Sequence, residues 1–463
     1  MPRATFRPWA PRAAGGLLAL ALVFTIAVTT PWHLIDLPAP DAALDFTSAE
    51  IARQNAFRHE ILRWSTASWI ISVVVPLAIG FSPLGRRLYD GLRIRLWFLA
   101  VPVTVAGIAL ITNLLTLPTD VLAQRVSLKY GLAVENWRLW VWDRGVNWAI
   151  TSLGVAVLAV VLIGFAKRRP QGWWLPGAIA AALLVLGVSF AYPVLVEPRF
   201  NTFTSMPAGA LRNDFLKLAA EDGVPVKDVL VADASKRTTA LNAYVSGFGS
   251  TRRLVVYDTL LKDTPPAQVR LVVAHELGHA AEDDVLHGTL IGVLGTAFGI
   301  TLLNLLLGPR LADPRRTAVQ VALIVAGTTL ASPVQSLVSR KIEARADYHS
   351  LRLTNDPRDF VAMQHDLGQL VAQGADERLD AALPRREVVG DDENRHRGAS
   401  GGTVPPFPAA QARPIAIRSG AVGWLANIQY RQRLGSRPEM FRTARSCCIA
   451  TKSRGSFVSR SEW

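Results

Sequence analysis

Cysteine is all but missing from the sequence. Its two residues, Cys447 and Cys448, are adjacent, a spacing that gives neither a disulfide framework nor a set of zinc-binding thiolates. Any metal held by this chain therefore has to be held by histidine and carboxylate. Histidine is scarce as well, at eight residues in 463, and acid is outnumbered, with 36 Asp and Glu against 50 Lys and Arg for a net charge of +14. That excess would suit nucleic acid, but no basic stripe with interleaved aromatics is present, and the basic residues gather at the ends of apolar runs and in the tail. Nucleic acid is not an expected partner; clusters so placed set membrane topology or meet anionic headgroups.

Charge itself is nearly absent from seven stretches, at roughly 14–31, 64–82, 96–117, 146–166, 173–195, 288–307 and 317–337. Each is about the length that crosses a hydrocarbon core of about 30 Å. The expected fold is mainly α, a multi-pass integral membrane protein of about seven transmembrane helices lying in a lipid bilayer. The first run follows Arg3, Arg7 and Arg12 and would also suit a signal peptide, but six further runs favour an uncleaved helix. The Thr-rich, Pro-containing run 317–337 is the weakest of the seven.

The layout divides the chain into 1–196 with five spans, a polar insert at 197–286, two further spans and a polar helix at 287–370, and a divergent tail at 371–463, rich in Gly, Pro and charge and expected to be disordered. Within the insert, "MPAGALRNDFLKLAAEDGVP" has a helical pattern that ends at Gly223. The runs "VLVADAS" and "RRLVVYDTLL" are β-branched and bounded by turn residues, and "LNAYVSGFGST" between them has the glycines for a reversal, so a small hairpin sheet is expected. Asp263 or Thr264 should cap the next helix, with Pro265 and Pro266 in its first turn.

That helix carries "LVVAHELGHAAEDD". Residues four apart share a helix face, so His275 and His279 can offer two imidazoles to one ion, with Glu276 beside them to deprotonate an attacking water. Two ligands do not make a catalytic zinc site; three are needed, with one position left open. His287 is eight residues beyond His279, roughly 12 Å along a helix at 1.5 Å per residue, too far to share the ion. Glu282, Asp283 and Asp284 read as a solvated face. The better candidate is "SLVSRKIEARADYHSLRL" after the seventh run. There Glu343 would complete a His-His-Glu set, Asp347 could orient a ligand histidine, and Arg340 could pair with them or stabilise an oxyanion. Charged residues directly after a span are also ordinary interfacial anchors, and both readings stand on the residues alone.

With those residues in hand, the chain resembles the integral-membrane zinc metalloproteases of the type I CAAX prenyl endopeptidase family. The likeness is carried by "EPRFNTFTSMPAGALR", "ASKRTTALNAYVSGFGSTRRLVVYDTLL", "HELGH" and "SRKIEARAD", in that order and among seven spans. The resemblance implies a gluzincin-like zinc protease insert with one Zn2+ per chain on His275, His279 and Glu343, and Glu276 as general base. It implies that Asn242 and Ala243 lie on a strand that binds substrate main chain, a form of strand addition. It implies helices around a chamber within the membrane, and peptide or protein substrates, prenylated CAAX C-termini among them. Membrane-protein quality control is the alternative within the class, and a non-enzymatic seven-span scaffold the alternative outside it.

Two departures accompany the likeness. It fades after about "FVAMQHDLGQLVAQ", and no His-Pro pair, a motif of the family's later helical region, occurs downstream. If seven spans alternate, Arg3/Arg7/Arg12, Arg86/Arg87/Arg93/Arg95, Lys167/Arg168/Arg169 and Arg310/Arg315/Arg316 all fall on the side opposite the insert. The positive-inside rule would make that side cytoplasmic, whereas cleavage of prenylated proteins would place the site toward the cytoplasm.

Overall fold

The computed structural model describes residues 9–33, 46–247, 249 and 252–372; the expected disordered tail lies outside them from residue 373 on. Helix α1 (Ala10–Thr29) is followed by α2 (Ser48–Phe81), the short surface helix α3 (Leu84–Gly91), α4 (Trp97–Lys129), α5 (Trp137–Arg168) and α6 (Trp174–Ala191). The insert follows, with β1 (Phe203–Ser205), α7 (Ala210–Glu221), β2 (Asp228–Ala232), β3 (Ala243–Ser246), β4 (Arg253–Tyr257), α8 (Asp258–Asp263) and α9 (Pro266–Ala281). Helices α10 (Asp284–Leu307), α11 (Thr317–Thr354) and α12 (Pro357–Ala372) complete the described chain.

Seven helices among the described residues are long and apolar enough to cross a membrane, one for each charge-poor run. Several are longer than the crossing requires. Helix α2 has 34 residues, α4 33, α5 32 and α11 38, against about 20 for a span. The surplus is polar and stands beyond the apolar part. In α2 it begins with a capping box, in which Thr47 Oγ1 accepts from Glu50 N–H and the Glu50 carboxylate accepts from Thr47 N–H. In α11 the surplus is at the C-terminal end and carries Glu343 and Asp347.

The insert's sheet has the order β1-β2-β4-β3. The two β-branched runs, expected as a hairpin, are instead parallel neighbours, Val229 opposite Leu254 and Leu230 opposite Val255. The reversal lies one strand later, where β3 runs antiparallel to β4 with Ala243 opposite Val256. The connection between these parallel strands, 233–252, contains β3 itself, and its first part, Asp233 to Asn242, anchors to the α4–α5 connection: Thr238 and Thr239 donate to the carbonyls of Leu132 and Gly131. Helix α7 ends as its sequence implies, with Gly223 at φ +70°, a left-handed conformation that glycine takes at little cost.

The N-cap of α9 is Pro265, without a side-chain cap, not Asp263 or Thr264. Asp263 is already the last residue of α8, and Thr264 is extended at φ −130°, ψ 136°, as a residue preceding proline is driven to be. Phe215 and Leu218 of α7, Val229, Leu254 and Val256 of the sheet and Leu260 of α8 form one core with Val269, Val273 and Leu277 of α9. Phe360 and Met363 of α12 join it. On its other side α9 lies against α11 and the start of α10, so the motif helix is enclosed between a soluble-type core and two spans.

Candidate metal centre

Helix α9 presents His275 and His279 on one face, 0 % and 3 % exposed. Their Nε2 atoms stand 3.2 Å apart. From α11, Glu343 brings a carboxylate oxygen to 3.4 Å from His275 Nε2 and 3.7 Å from His279 Nε2. These are the three residues among those described whose donor atoms all fall within 4.8 Å of one another. Gly278 is what lets α11 approach: a Cβ added there would stand 3.0 Å from Cβ of His349, one turn and a half past Glu343 on that helix.

The far side of each imidazole is fixed by a carboxylate. His275 Nδ1 lies 2.9 Å from Asp347 Oδ1, and His279 Nδ1 2.9 Å from Asp284 Oδ2. A carboxylate can only accept, so each Nδ1 carries the proton and each Nε2 of a neutral ring turns a lone pair toward the other. Two facing lone pairs at that separation, beside a Glu343 oxygen that is buried without a hydrogen-bond partner among the described residues, call for a cation between them. In the metal-free chain a proton fills that need. Burial works against charge on both rings, yet the hydrogen bond His275 donates to Asp347 and the nearby Glu343 carboxylate hold His275 up to about 9, and the hydrogen bond His279 donates to Asp284, with the same Glu343 carboxylate, likewise raises His279.

Glu276 is 0 % exposed, and neither of its carboxyl oxygens has a hydrogen-bond partner among the described residues. Burial pushes its pKa up to about 7. A carboxyl group poised there exchanges a proton readily near neutral pH.

Asp284 and its support were not legible as part of the site. Read from sequence as solvated, Asp284 is 4 % exposed. Asp283 takes a left-handed conformation at φ 51° between α9 and α10, and this break turns the first residue of α10 back toward His279. Arg345 of α11 donates to Asp284 Oδ1 and pairs with Glu282 at 3.0 Å. The one available signal was three acids directly after a helix whose next residues begin a span, where an unpaired charge would be costly.

Other expected residues fall differently. Arg340 is one turn before Glu343, half-buried, and makes no hydrogen bond or ion pair among the described residues. His287 stays outside the ligand cluster. Ala243 opens β3 and is buried against α9, and the carbonyl of Asn242 just before it accepts from Tyr257 N–H at 2.9 Å. Strand β3 is at the end of the sheet order. The alternation of an antiparallel ladder therefore points the N–H and C=O of Ala243 to the open edge.

Comparison with known proteins bears on the same residues. The model described as peptidase family M48 matches residues 205–414, and that described as CAAX prenyl protease N-terminal, five membrane helices, matches 38–202. The chain belongs to peptidase family M48. This M48 chain is 27 % identical over 272 residues to the uncharacterized metalloprotease YhfN of Bacillus subtilis, covering 56 % of the chain and 64 % of YhfN. It is 33 % identical over 180 residues to the CAAX prenyl protease 1 homolog of Oryza sativa subsp. japonica, covering 38 % and 42 %. The match to CAAX prenyl protease 1 of Saccharomyces cerevisiae is 28 % over 170 residues, 36 % and 37 %. The chain thus spans less than two thirds of the length of these curated relatives. Its fold is similar to that of the crystal structure of S. mikatae Ste24p, with a TM-score of 0.59 at 18 % identity over 80 % of this chain and 93 % of the other. The M48 chain is a multi-pass integral membrane protein, and its family uses a metal ion.

Proposed function

We propose that this chain is a membrane-embedded metalloendopeptidase that holds one zinc ion on His275, His279 and Glu343. The observation that carries the reading is the pair of imidazole Nε2 atoms facing each other at 3.2 Å, each with Nδ1 committed to a carboxylate. Two nitrogens and one carboxylate suit zinc in a hydrolytic site, where the fourth position is taken by water or substrate. When bound, zinc supplies Lewis-acid polarisation of the scissile carbonyl and acidifies water in its vicinity.

The protein's own groups do the rest. Glu276 takes the proton of the attacking water and returns it to the leaving amine, a role for which a carboxyl near pKa 7 is matched at neutral pH. Asp347 and Asp284 hold the two histidines in the tautomer that presents Nε2 to the ion. Strand β3 offers the N–H and C=O of Ala243 to an extended peptide, which Asn242 helps to place. Arg340, without a partner of its own among the described residues, is free to meet a substrate carboxylate or oxyanion.

The names of the relatives make a prenylated CAAX C-terminus the first substrate to try, and an unfolded membrane protein the second. The test compares the full-length chain with its Glu276→Gln variant. The variant should keep stoichiometric zinc and cleave neither a farnesylated CAAX peptide nor a membrane-protein substrate that the parent cleaves. Cleavage that survives the substitution would remove Glu276 from the mechanism.

A further inference from the structure

The segment that leads into β3, 237–242, has no helix or strand of its own. A chain without a ladder takes its course from the partners its polar groups find, and its first three residues find them outside the insert, on the α4–α5 connection. Val134 N–H donates to the Arg237 carbonyl at 3.2 Å, Thr238 Oγ1 to the Leu132 carbonyl and Thr239 Oγ1 to the Gly131 carbonyl, and Ala133 and Thr238 form an antiparallel bridge. The Arg237 guanidinium reaches further, to α5, where Nε and Nη2 donate to the two carboxylate oxygens of Asp143 at 2.7 and 3.2 Å. The later ties are within the insert: Thr259 Oγ1 donates to the Ala240 carbonyl and Tyr257 N–H to that of Asn242.

Asp143 and Arg237 are 6 % and 12 % exposed. Among the described residues Asp143 is the acceptor that holds the guanidinium, whose Nη1 is buried without a partner. The carboxylate stands on a braced helix. Its neighbour Arg144 pairs with Asp120 of α4 at 2.8 Å and donates to Asn113 of the same helix at 3.2 Å, and Asp120 accepts from Ser68 of α2 at 2.5 Å. Three spans are tied together beside the point where the insert is held. A buried ion pair is weak evidence for stability, since apolar residues of similar volume often serve as well. What a two-point guanidinium–carboxylate contact adds is direction, and here it is applied five residues before Asn242.

We infer that Asp143 and Arg237 are positioning residues for substrate: through 237–242 they fix, from the spans, where the open edge of β3 lies against α9, and so where the main chain of an extended peptide meets Ala243. Strand addition draws its affinity from main-chain hydrogen bonds, which a shift of the edge strand weakens all at once. Neither residue belongs to the ligand cluster, so zinc binding should be indifferent to the pair and peptide binding should not. The inference rests on the proposed reading of β3 as the strand that receives substrate.

The experiment uses the full-length, zinc-loaded chain in lipid nanodiscs with the farnesylated CAAX peptide. Asp143→Asn removes the charge and keeps the shape, Arg237→Lys keeps the charge and loses the two-point contact, and the double variant Asp143→Asn/Arg237→Gln leaves no unpaired charge should either single variant fail to fold. KM should rise about tenfold in Asp143→Asn and in the double variant and less in Arg237→Lys, with kcat within about twofold and zinc stoichiometry unchanged. Main-chain amides of the peptide are then N-methylated one at a time. At the position that costs the parent most, Asp143→Asn should lose less than the parent does, because the hydrogen bond removed is already weakened. Amide exchange, read without substrate, should quicken over 237–246 in Asp143→Asn and stay as in the parent over 269–279. An unmoved KM, a joint fall of kcat and zinc, or N-methylation that costs parent and variant alike overturns the inference. The two readings fail separately. A parent that cleaves, with KM unmoved in every variant, overturns the positioning role alone; a parent that cleaves nothing, with exchange still quickened over 237–246, removes the peptidase reading and upholds the tie between Asp143 and the β3 edge.

Discussion

Helix α9 and helix α6 are buried to opposite extents. Twelve of the sixteen residues of α9 are buried, His275, Glu276 and His279 among them. Helix α6 is far more apolar, yet only Gly177, Ala178 and Ala181 of its eighteen residues are buried, and Leu183 and Phe190 are 62 % and 59 % exposed. In a protein that crosses a bilayer, apolar side chains need no protein around them, because lipid tails receive them as well as a core does. Polar side chains need it absolutely. The packed interior is therefore concentrated around the helix that carries charge, and its carboxylate partners, Asp284, Glu343 and Asp347, come from the polar ends of two spans. The candidate metal centre sits where a soluble-type core and a bundle of spans meet.

The most severe break in that arrangement is removal of the carboxylate that joins the two parts at the ion. Glu343→Ala should abolish stoichiometric zinc, measured by metal analysis of the purified chain, and with it all cleavage, since two histidines alone do not make a catalytic site. Full zinc retention in this variant would mean that α11 does not contribute a ligand.

The contrast in burial makes a second prediction. Phe215→Ala empties a 0 % exposed site in the core against α9 and should cost about 3–5 kcal/mol. Leu183→Ala on α6, at a side chain 62 % exposed, should change stability by no more than about 0.5 kcal/mol, as substitutions outside the core do. Thermal unfolding of both variants in the same lipid nanodisc measures the difference. Equal losses would show that α6 is packed against protein in the membrane.

The same contrast explains what could be read from sequence. Seven spans were legible because a bilayer demands an unbroken apolar run whatever the tertiary packing. His275 and His279 were legible because four residues make one helical turn, and Glu343 and Asp347 because they repeat that spacing just beyond a span. Asp284 was not, since its approach to His279 depends on the left-handed turn at Asp283, which a run of three acids does not announce. Arg345 was hidden for the same reason: its partner was unknown. The pairing of β2 with β4 was misread as a hairpin because β-branched runs look alike in parallel and antiparallel ladders; the decision lies in the connection 233–252, which inserts β3 on the far side of β4, and in its anchors on Gly131 and Leu132.

Orienting carboxylates should matter less than the ligand. Asp347→Ala and Asp284→Ala each free one ligand imidazole to change tautomer or rotate, and a loss of about 10–100-fold in zinc affinity is expected for each. Arg345→Ala acts on His279 only through Asp284, so its effect should be smaller than that of Asp284→Ala and absent when Asp284 is already alanine. Competition with a zinc-binding dye measures all four. Additive losses for Arg345 and Asp284 would break the chain of contact that the structure draws between them.

The mildest perturbation is pH, and it acts on α9 in two ways that can be separated. In the metal-free chain His275 is held up to about 9, so at neutral pH a proton occupies the place where zinc would bind. Zinc must displace it, and the apparent affinity should rise with pH until about 9 and level off above. Glu276, pushed up to about 7 by burial, works as a base only when ionised; with zinc kept saturating, cleavage should fall about tenfold per pH unit below its pKa. A bound cation beside Glu276 favours its ionised form, so the working value should lie below that of the metal-free chain. If the acid limb of the cleavage profile persists in Glu276→Asp but moves, the limb belongs to this carboxylate. A limb that follows total zinc and ignores the substitution would assign it to loss of the ion, and would leave Glu276 without a titration of its own in the rate.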